Sequence, residues 1–412
     1  MSLRIIHTAD WHLGQTFFGY DREAEHDAFL DWLVETLSRR ETDVLLIAGD
    51  VFDVANPSAA AQHRFFRFLK DVNIRNPHLQ VVITAGNHDS ATRLEAPAPL
   101  LDELNISVVG VIRRKEAYAI DYESLLVPLY NKEGKREALC MAVPYLRQGD
   151  YPASEEPGDS YVGGIGRMYG KLFEKAEAEK RPGEALVAMG HLHATGAELS
   201  GDDRSERVIM GGLESVPVDA FPVGIAYTAL GHIHKAQRVG GRENVRYSGS
   251  PLPMSFSEKN YRHQVVEVIL EQGRPAEIEM LPVPLITALK RIPAQPALPE
   301  EVLLRLSELP LADTEKNGWP FVEVQVLMTE PDPGFRHRVE EVLADKAVRL
   351  TSILPSYPKS EREEAARIFS YTDLQKINPL DMLRHTFTNR YGGELPEELE
   401  HMFNEVMREV SL

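Results

Sequence analysis

Five short segments carry residues that could do metal chemistry: Asp10 and His12 in ADWHLG, Asp50 in AGDVFD, Asn87 and His88 in AGNHDS, His191 in MGHLH, and His232 and His234 in LGHIH. Imidazole nitrogen with carboxylate or amide oxygen suits borderline and hard divalent ions. The single cysteine, Cys140, lies in an apolar run and reads as a buried thiol, so a Cys-rich zinc site and an intramolecular disulfide are both excluded. Asp10, His12, Asp50, Asn87, His191, His232 and His234 are too many ligands for one ion. If one carboxylate bridges, they serve two ions about 3.5 to 4 Å apart, the spacing that activates a hydroxide and clamps phosphate oxygens. Taken singly, each has a plainer use: Asp50 as a helix cap, GNHD as an Asx turn, His191 or His232 as a satisfied core histidine. The joint pattern carries the argument, because every segment follows an apolar run. Gly49, Gly86, Gly190 and Gly231 each precede a candidate, as expected where the chain turns sharply. His193 competes with His191 for the same role.

Segments so far apart in sequence need a scaffold that gathers them. The first 130 residues alternate aliphatic runs with amphipathic stretches, the mark of stacked βαβ units. Strands are expected at 3–7, 43–48 and 79–84, with helices over 23–40 and 57–72. The first helix should bury a stripe of Ala28, Leu30, Leu33, Val34 and Leu37. Strand-like runs at 138–143, 186–189, 226–230, 265–270 and 276–281 predict a second β layer, and 153–166, rich in Gly, Ser, Pro and acids, predicts a surface loop. In open α/β sheets, catalytic groups collect at the carboxyl ends of strands, so five polar segments at five strand ends can converge.

From about Pro282 the chain reads as a Pro-punctuated connector, PVPLITALKRIPAQPALPE, leading to a small unit with a helix over 300–309, a strand over 321–328, a helix over 335–345 and a strand over 348–354. After 355–360 comes a helical tail in which Leu399, Met402, Phe403, Val406, Met407 and Val410 share a stripe, with Pro396 and two glutamates at its start.

The chain has 412 residues, enough for two or three domains. Its formal charge of -18 argues against a protein that coats DNA through clustered Lys and Arg. Part of the acidic excess belongs to a metal site; the rest requires local basic patches or a partner. The start has no apolar signal core, and no stretch approaches the roughly 18 to 20 apolar residues of a membrane span. With one cysteine, a reducing compartment and a cytoplasmic location are expected, without membrane association.

The order D-x-H, G-D, G-N-H-D, G-H and G-H-x-H resembles the calcineurin-like metallophosphoesterase superfamily. HTADWHLG, ITAGNHDS, ALGHIHKAQ and VRYSGSPLPMSFSE resemble, within it, the nuclease subunits of bacterial SbcCD-type complexes. The motifs span about residues 3–257. The resemblance implies an α/β fold: a β-sandwich flanked by helices in four αββα layers over 1–283, a small α+β capping and DNA-binding domain over 284–356, and a C-terminal helical segment over 357–412 that binds the partner. It implies that Asp10, His12 and His234 hold one metal, that Asn87, His191 and His232 hold the other, and that Asp50 bridges. His88 would act on the scissile phosphate without binding metal, and His193 would lie behind or outside the ligand set. The implied ions are two Mn2+. The implied activity is DNA double-strand exonuclease, 3′ to 5′, with single-strand and hairpin endonuclease action, in a homodimer that forms a heterotetramer with an SbcC-type coiled-coil ATPase.

The competing reading is a phosphatase or small-molecule phosphodiesterase on the same core. Protein phosphatases of the superfamily place an arginine before Gly-Asn-His-Glu to grip a phosphate dianion. Here Thr84 and Ala85 precede Gly86, and Asp89 replaces the glutamate, which favours a diester. A scaffold that keeps the fold without the chemistry would not need the complete ligand set.

Overall fold

The computed structural model describes residues 2–153, 161–195, 197, 215–312, 318–330 and 332–357, with single positions further on. It divides into two compact units, one of Met1–Val326 with Pro333–Pro355, the other of Leu327–Asp332 with Ser356–Leu412.

The first unit begins with β1 (Ser2–Thr8), a hairpin of β2 (Thr16–Phe17) and β3 (Tyr20–Asp21), and α1 (Glu23–Arg39). There follow β4 (Val44–Ala48), α2 (Ala59–Arg75), β5 (Gln80–Thr84), short helices α3 (Ala91–Glu95) and α4 (Ala98–Leu101), and β6 (Ile106–Val109). Next come β7 (Leu126–Tyr130), β8 (Arg136–Ala142), α5 (Tyr161–Glu179), β9 (Ala185–His191), β10 (Tyr227–Gly231), β11 (Gln237–Val239), β12 (Arg242–Tyr247), β13 (Gln264–Glu271) and β14 (Arg274–Pro282).

Two six-stranded sheets result, ordered β14-β13-β1-β4-β5-β6 and β11-β12-β10-β9-β8-β7. β1, β4, β5 and β6 run parallel, as do β8, β9, β10 and β12, so the carboxyl ends of each set share one edge. Every residue of β4 is buried, because the strand is covered on both faces. Val44, Leu46 and Ala48 join the core shared with β8, β9, β10 and α5, whereas Leu45 and Ile47 join the core beneath α1 and α2. The period-two alternation of one strand thus serves two layers, giving the expected αββα order.

α1 buries Phe29, Leu30, Leu33, Val34 and Leu37. Phe29 takes the place expected for Ala28, which is only half-buried. α5 begins at Tyr161, inside the stretch expected to be a loop; residues 154–160 lie outside the described residues. Its glycines lower helix propensity, but tertiary packing overrides that: Gly164 seats the Tyr151 ring, and the Tyr169 hydroxyl donates to the Met189 carbonyl at 2.9 Å.

A third sheet, β15-β16-β17, uses β15 (Leu289–Ala297), β16 (Phe321–Leu327) and β17 (Arg349–Ser356), with α6 (Pro299–Ser307) and α7 (Phe335–Leu343) between them. β15 occupies what reads as a connector. It is an edge strand, and its ladder to β16 skips from Ile292 to Ala297, so Pro293 and Pro296 sit where no amide is required. The apolar stripe expected over 399–410 lies mostly outside the described residues, although the Leu399 and Glu400 amides donate to the Pro396 carbonyl at 3.1 Å, as at a helix start.

Candidate metal centre

Asp10 and His12 follow β1, Asp50 follows β4, Asn87 and His88 follow β5, His191 ends β9, and His232 and His234 follow β10. All therefore leave strands at one edge of the sandwich. The backbone there departs from ordinary L-residue conformations. Asp10, His12, Asp50 and His232 have φ of 57°, 47°, 50° and 100°. Each such residue costs on the order of 1–3 kcal/mol and persists only where its surroundings over-determine it. Here the loops lock together: the amides of Trp11 and His12 donate to the Asp50 carbonyl at 2.9 and 3.1 Å, and the His232 amide donates to Asp10 Oδ1 at 2.9 Å.

Trp11 explains why Asp-x-His presents both functional side chains. It is fully buried beneath α1 and α2, edge-on to Phe29 and Phe68, with its indole N–H on Thr8 Oγ1 at 2.9 Å. That anchor sinks the residue between Asp10 and His12 into the helical core. Of the four glycines expected at sharp turns, only Gly49 has a positive φ, 87°. Gly86 and Gly231 answer a different need, close approach: a Cβ would collide with the Asp50 carboxylate at the first and with the Ala48 carbonyl at the second.

The structure brings all seven candidate ligands and His88 together. Asp10, His12 and His234 form one cluster, and Asp10, Asp50 and His191 another, each with its donor atoms within 4.8 Å of one another. Asn87 Oδ1 lies 2.9 Å from His191 Nε2 and 3.0 Å from His232 Nδ1. Asp50 Oδ2 faces both groups, 3.2 Å from His191 Nε2 and 3.8 Å from His12 Nε2. His88 also falls within a cluster, with His12 and Asp50. Its amide donates to Asp50 Oδ1 at 2.8 Å, and its Nδ1 lies 2.8 Å from the Asp53 carbonyl. His193 joins none of these clusters among the described residues, and its buried Nδ1 has no hydrogen-bond partner.

The donor set fits divalent ions. His191 Nδ1 sits 2.9 Å from the Ala48 carbonyl and His234 Nδ1 3.0 Å from Glu258 Oε1, which leaves each ring's Nε2 lone pair for a cation. Asp10 Oδ2 and His12 Nε2 are buried with no hydrogen-bond partner, an unfavourable state unless something charged meets them. The carboxylates demand positive charge. Burial alone would lower the His191 pKa, yet Asp50 and Asp10 push it up to about 9. Burial opposes ionisation of Asp50 too, and His191 and His12 nonetheless hold its carboxyl well below the usual range.

Two aspartates that follow the candidate ligands in sequence divide their roles. Asp53 Oδ1 lies 3.2 Å from His12 Nδ1, an ion-pair distance without hydrogen-bond geometry. Asp89 is instead a loop cap: its carboxylate accepts from the amides of Val51, Phe52 and Gly86 at 3.2, 3.0 and 2.9 Å. Glu258 has no role in the sequence reading, although it closes the run VRYSGSPLPMSFSE. It is fully buried and accepts from the Met254 amide at 2.9 Å as well as facing His234. A lone glutamate in a Ser-rich turn gives no sign of burial; its position within that run was the available signal.

A sandwich of two mixed sheets with a largely buried His/Asp/Asn cluster at the ends of its parallel strands fits a metal-dependent phosphoesterase. The chain belongs to the calcineurin-like phosphoesterase family, whose model matches residues 3–236. Its full-length relatives are named as the SbcD component of the SbcCD nuclease. The one from Rhodobacter capsulatus is 39% identical over 372 residues, 88% of this chain and 90% of that protein. The one from Escherichia coli is 30% identical over 421 residues, 97% of each. The one from Bacillus subtilis is 27% identical over 406 residues, 96% of this chain and 95% of that protein. A second model, described as the type 5 capsule protein repressor C-terminal domain, matches residues 286–391. Family and donor clusters together make this a divalent-metal hydrolase. Among the described residues no helix is long and apolar enough to cross a membrane.

Proposed function

We propose that this chain is the nuclease component of a cytoplasmic SbcCD-type complex, hydrolysing phosphodiester bonds in DNA. The observation that carries the reading is the convergence of Asp10, His12, Asp50, Asn87, His191, His232 and His234 around shared donor positions, with His88 beside them. Asp10, His12 and His234 would hold one ion and Asn87, His191 and His232 the other, with Asp50 shared between the two sets; the ions would be Mn2+. When bound, the pair supplies an activated water and neutralises charge on the phosphate oxygens.

The chain's own groups do the rest. Ala48 and Glu258 orient the His191 and His234 rings through Nδ1. The Asp53 carbonyl, 2.8 Å from His88 Nδ1, favours the tautomer with its proton there, so Nε2 is the atom that exchanges a proton with the leaving 3′ oxygen. The absence of an arginine before Gly86 favours a singly charged diester over a terminal phosphate.

Residues 284–356 form the capping domain that contacts DNA, and 357–412 bind the coiled-coil base of an SbcC-type ATPase. The assembly is a homodimer within a heterotetramer that processes double-strand ends from 3′ to 5′ and opens single strands and hairpins. Incubating the purified chain with end-labelled duplex, hairpin and bis-p-nitrophenyl phosphate, with and without manganese, tests the activity. Cleavage of the small diester without any cleavage of DNA would reject the nuclease reading. Deleting 361–412 should spare small-diester hydrolysis and abolish co-purification with the ATPase; unchanged co-purification rejects that docking role.

A further inference from the structure

A net charge of -18 leaves open how a polyanion approaches the centre. Beside His234 two clefts, of about 330 and 480 Å³, share Tyr261, Arg262, Gln264 and Met280 and so form one trough. One end is lined by Lys235 and Arg246, the other by Val283 and Leu285, and neither end is lined by a carboxylate. Arg246 is already paired with Glu243 at 2.5 Å. Arg262 is exposed and has no ion pair among the described residues.

The trough is tied to the centre by the backbone. Lys235 directly follows His234, whose carbonyl accepts from the Ser250 amide at 3.1 Å, and His263 Nδ1 lies 2.9 Å from the Ser250 carbonyl. Met280 in the shared middle and Leu285 at the far end, 46% and 44% exposed, put apolar surface along the trough. A duplex offers such a surface only phosphates and grooves, its bases being stacked inside. A single strand offers both phosphates and free base faces, which suits cations at one end, a tyrosine in the middle and aliphatic side chains beyond.

We propose that this trough, from Lys235 through Arg262 and Tyr261 to Leu285, holds one DNA strand next to the scissile bond, Arg262 contacting a phosphate and Tyr261 a base. The inference rests on the nuclease reading and adds to it the path of the strand.

The test uses the full chain with manganese and a fluorescein-labelled, phosphorothioate-linked oligothymidylate that resists cleavage, with affinity read by anisotropy across a salt series. Arg262→Glu should weaken binding ~10-fold and flatten the salt dependence by at least about 0.7 in slope, the share of one phosphate contact. Arg274→Glu, the same charge change on exposed β14, should do neither. Tyr261→Ala should weaken binding with the slope kept. Equal effects of Arg262→Glu and Arg274→Glu would overturn the trough, and an equal loss for blunt duplex would overturn the single-strand assignment. Wild-type hydrolysis of bis-p-nitrophenyl phosphate separates the two levels: its absence refutes the metal-centre reading, whereas its presence with unaltered strand binding in Arg262→Glu refutes only the trough.

Discussion

The interior of the sandwich and most of the edge where its strands end are buried, and the two are chemically opposite. In β4, Val44 to Ala48 are apolar, extended and laddered on both sides to β1 and β5. Two residues later Asp50 is as buried, but charged, in left-handed backbone, and facing other polar side chains. Interior residues satisfy every local rule, so their burial stabilises the fold. Edge residues break several rules at once and survive because neighbouring loops and the rigid sheets hold them. Stability generated in the first region sustains strain and unpaired polarity in the second.

Substitutions should separate the two regions. The largest expected effect is at Asp50: Asp50→Ala should lower manganese-dependent diester hydrolysis by at least ~10³-fold and abolish the thermal stabilisation that manganese gives the wild type. Near wild-type turnover would refute the bridging role. His88→Ala should lower DNA cleavage by ~10²- to 10⁴-fold while both ions stay bound; loss of metal from anomalous scattering would make His88 a ligand instead. Leu46→Ala, in the interior, should cost about 2–5 kcal/mol in denaturant unfolding yet keep turnover per folded molecule. A fall in turnover with no loss of stability would erase the contrast between the regions. The smallest effect belongs to Glu258→Gln, which keeps the shape but turns one of the two accepting oxygens into an NH2 donor and removes the charge behind His234. Metal affinity should fall about 10-fold, near the low end for groups that orient ligand imidazoles, and titration of manganese into the metal-free variant measures it.

The site was legible because its chemistry is carried by residue type. Asp, His and Asn placed immediately after apolar runs mark strand ends in the sequence itself, and the structure gathers all eight named residues. α1 and β4 were legible through periodicity, since their patterns repeat over enough residues to exceed chance. The helix at Tyr161 was hidden by its glycines, and β15 by its prolines, because both owe their state to neighbours distant in sequence: Tyr151 and β9 for the helix, β16 for the strand.

What the sequence by itself determined is therefore the inventory: an α/β class with a second β layer, the donor set, the lack of thiolate chemistry and the missing phosphate-gripping arginine. What only the tertiary structure decided is relational. Asp53 turns to a histidine while Asp89 caps a loop, Glu258 is buried behind His234, and Arg262 borders a trough beside the centre. Type and spacing are properties of one stretch of chain, but burial and pairing depend on which other stretch folds against it.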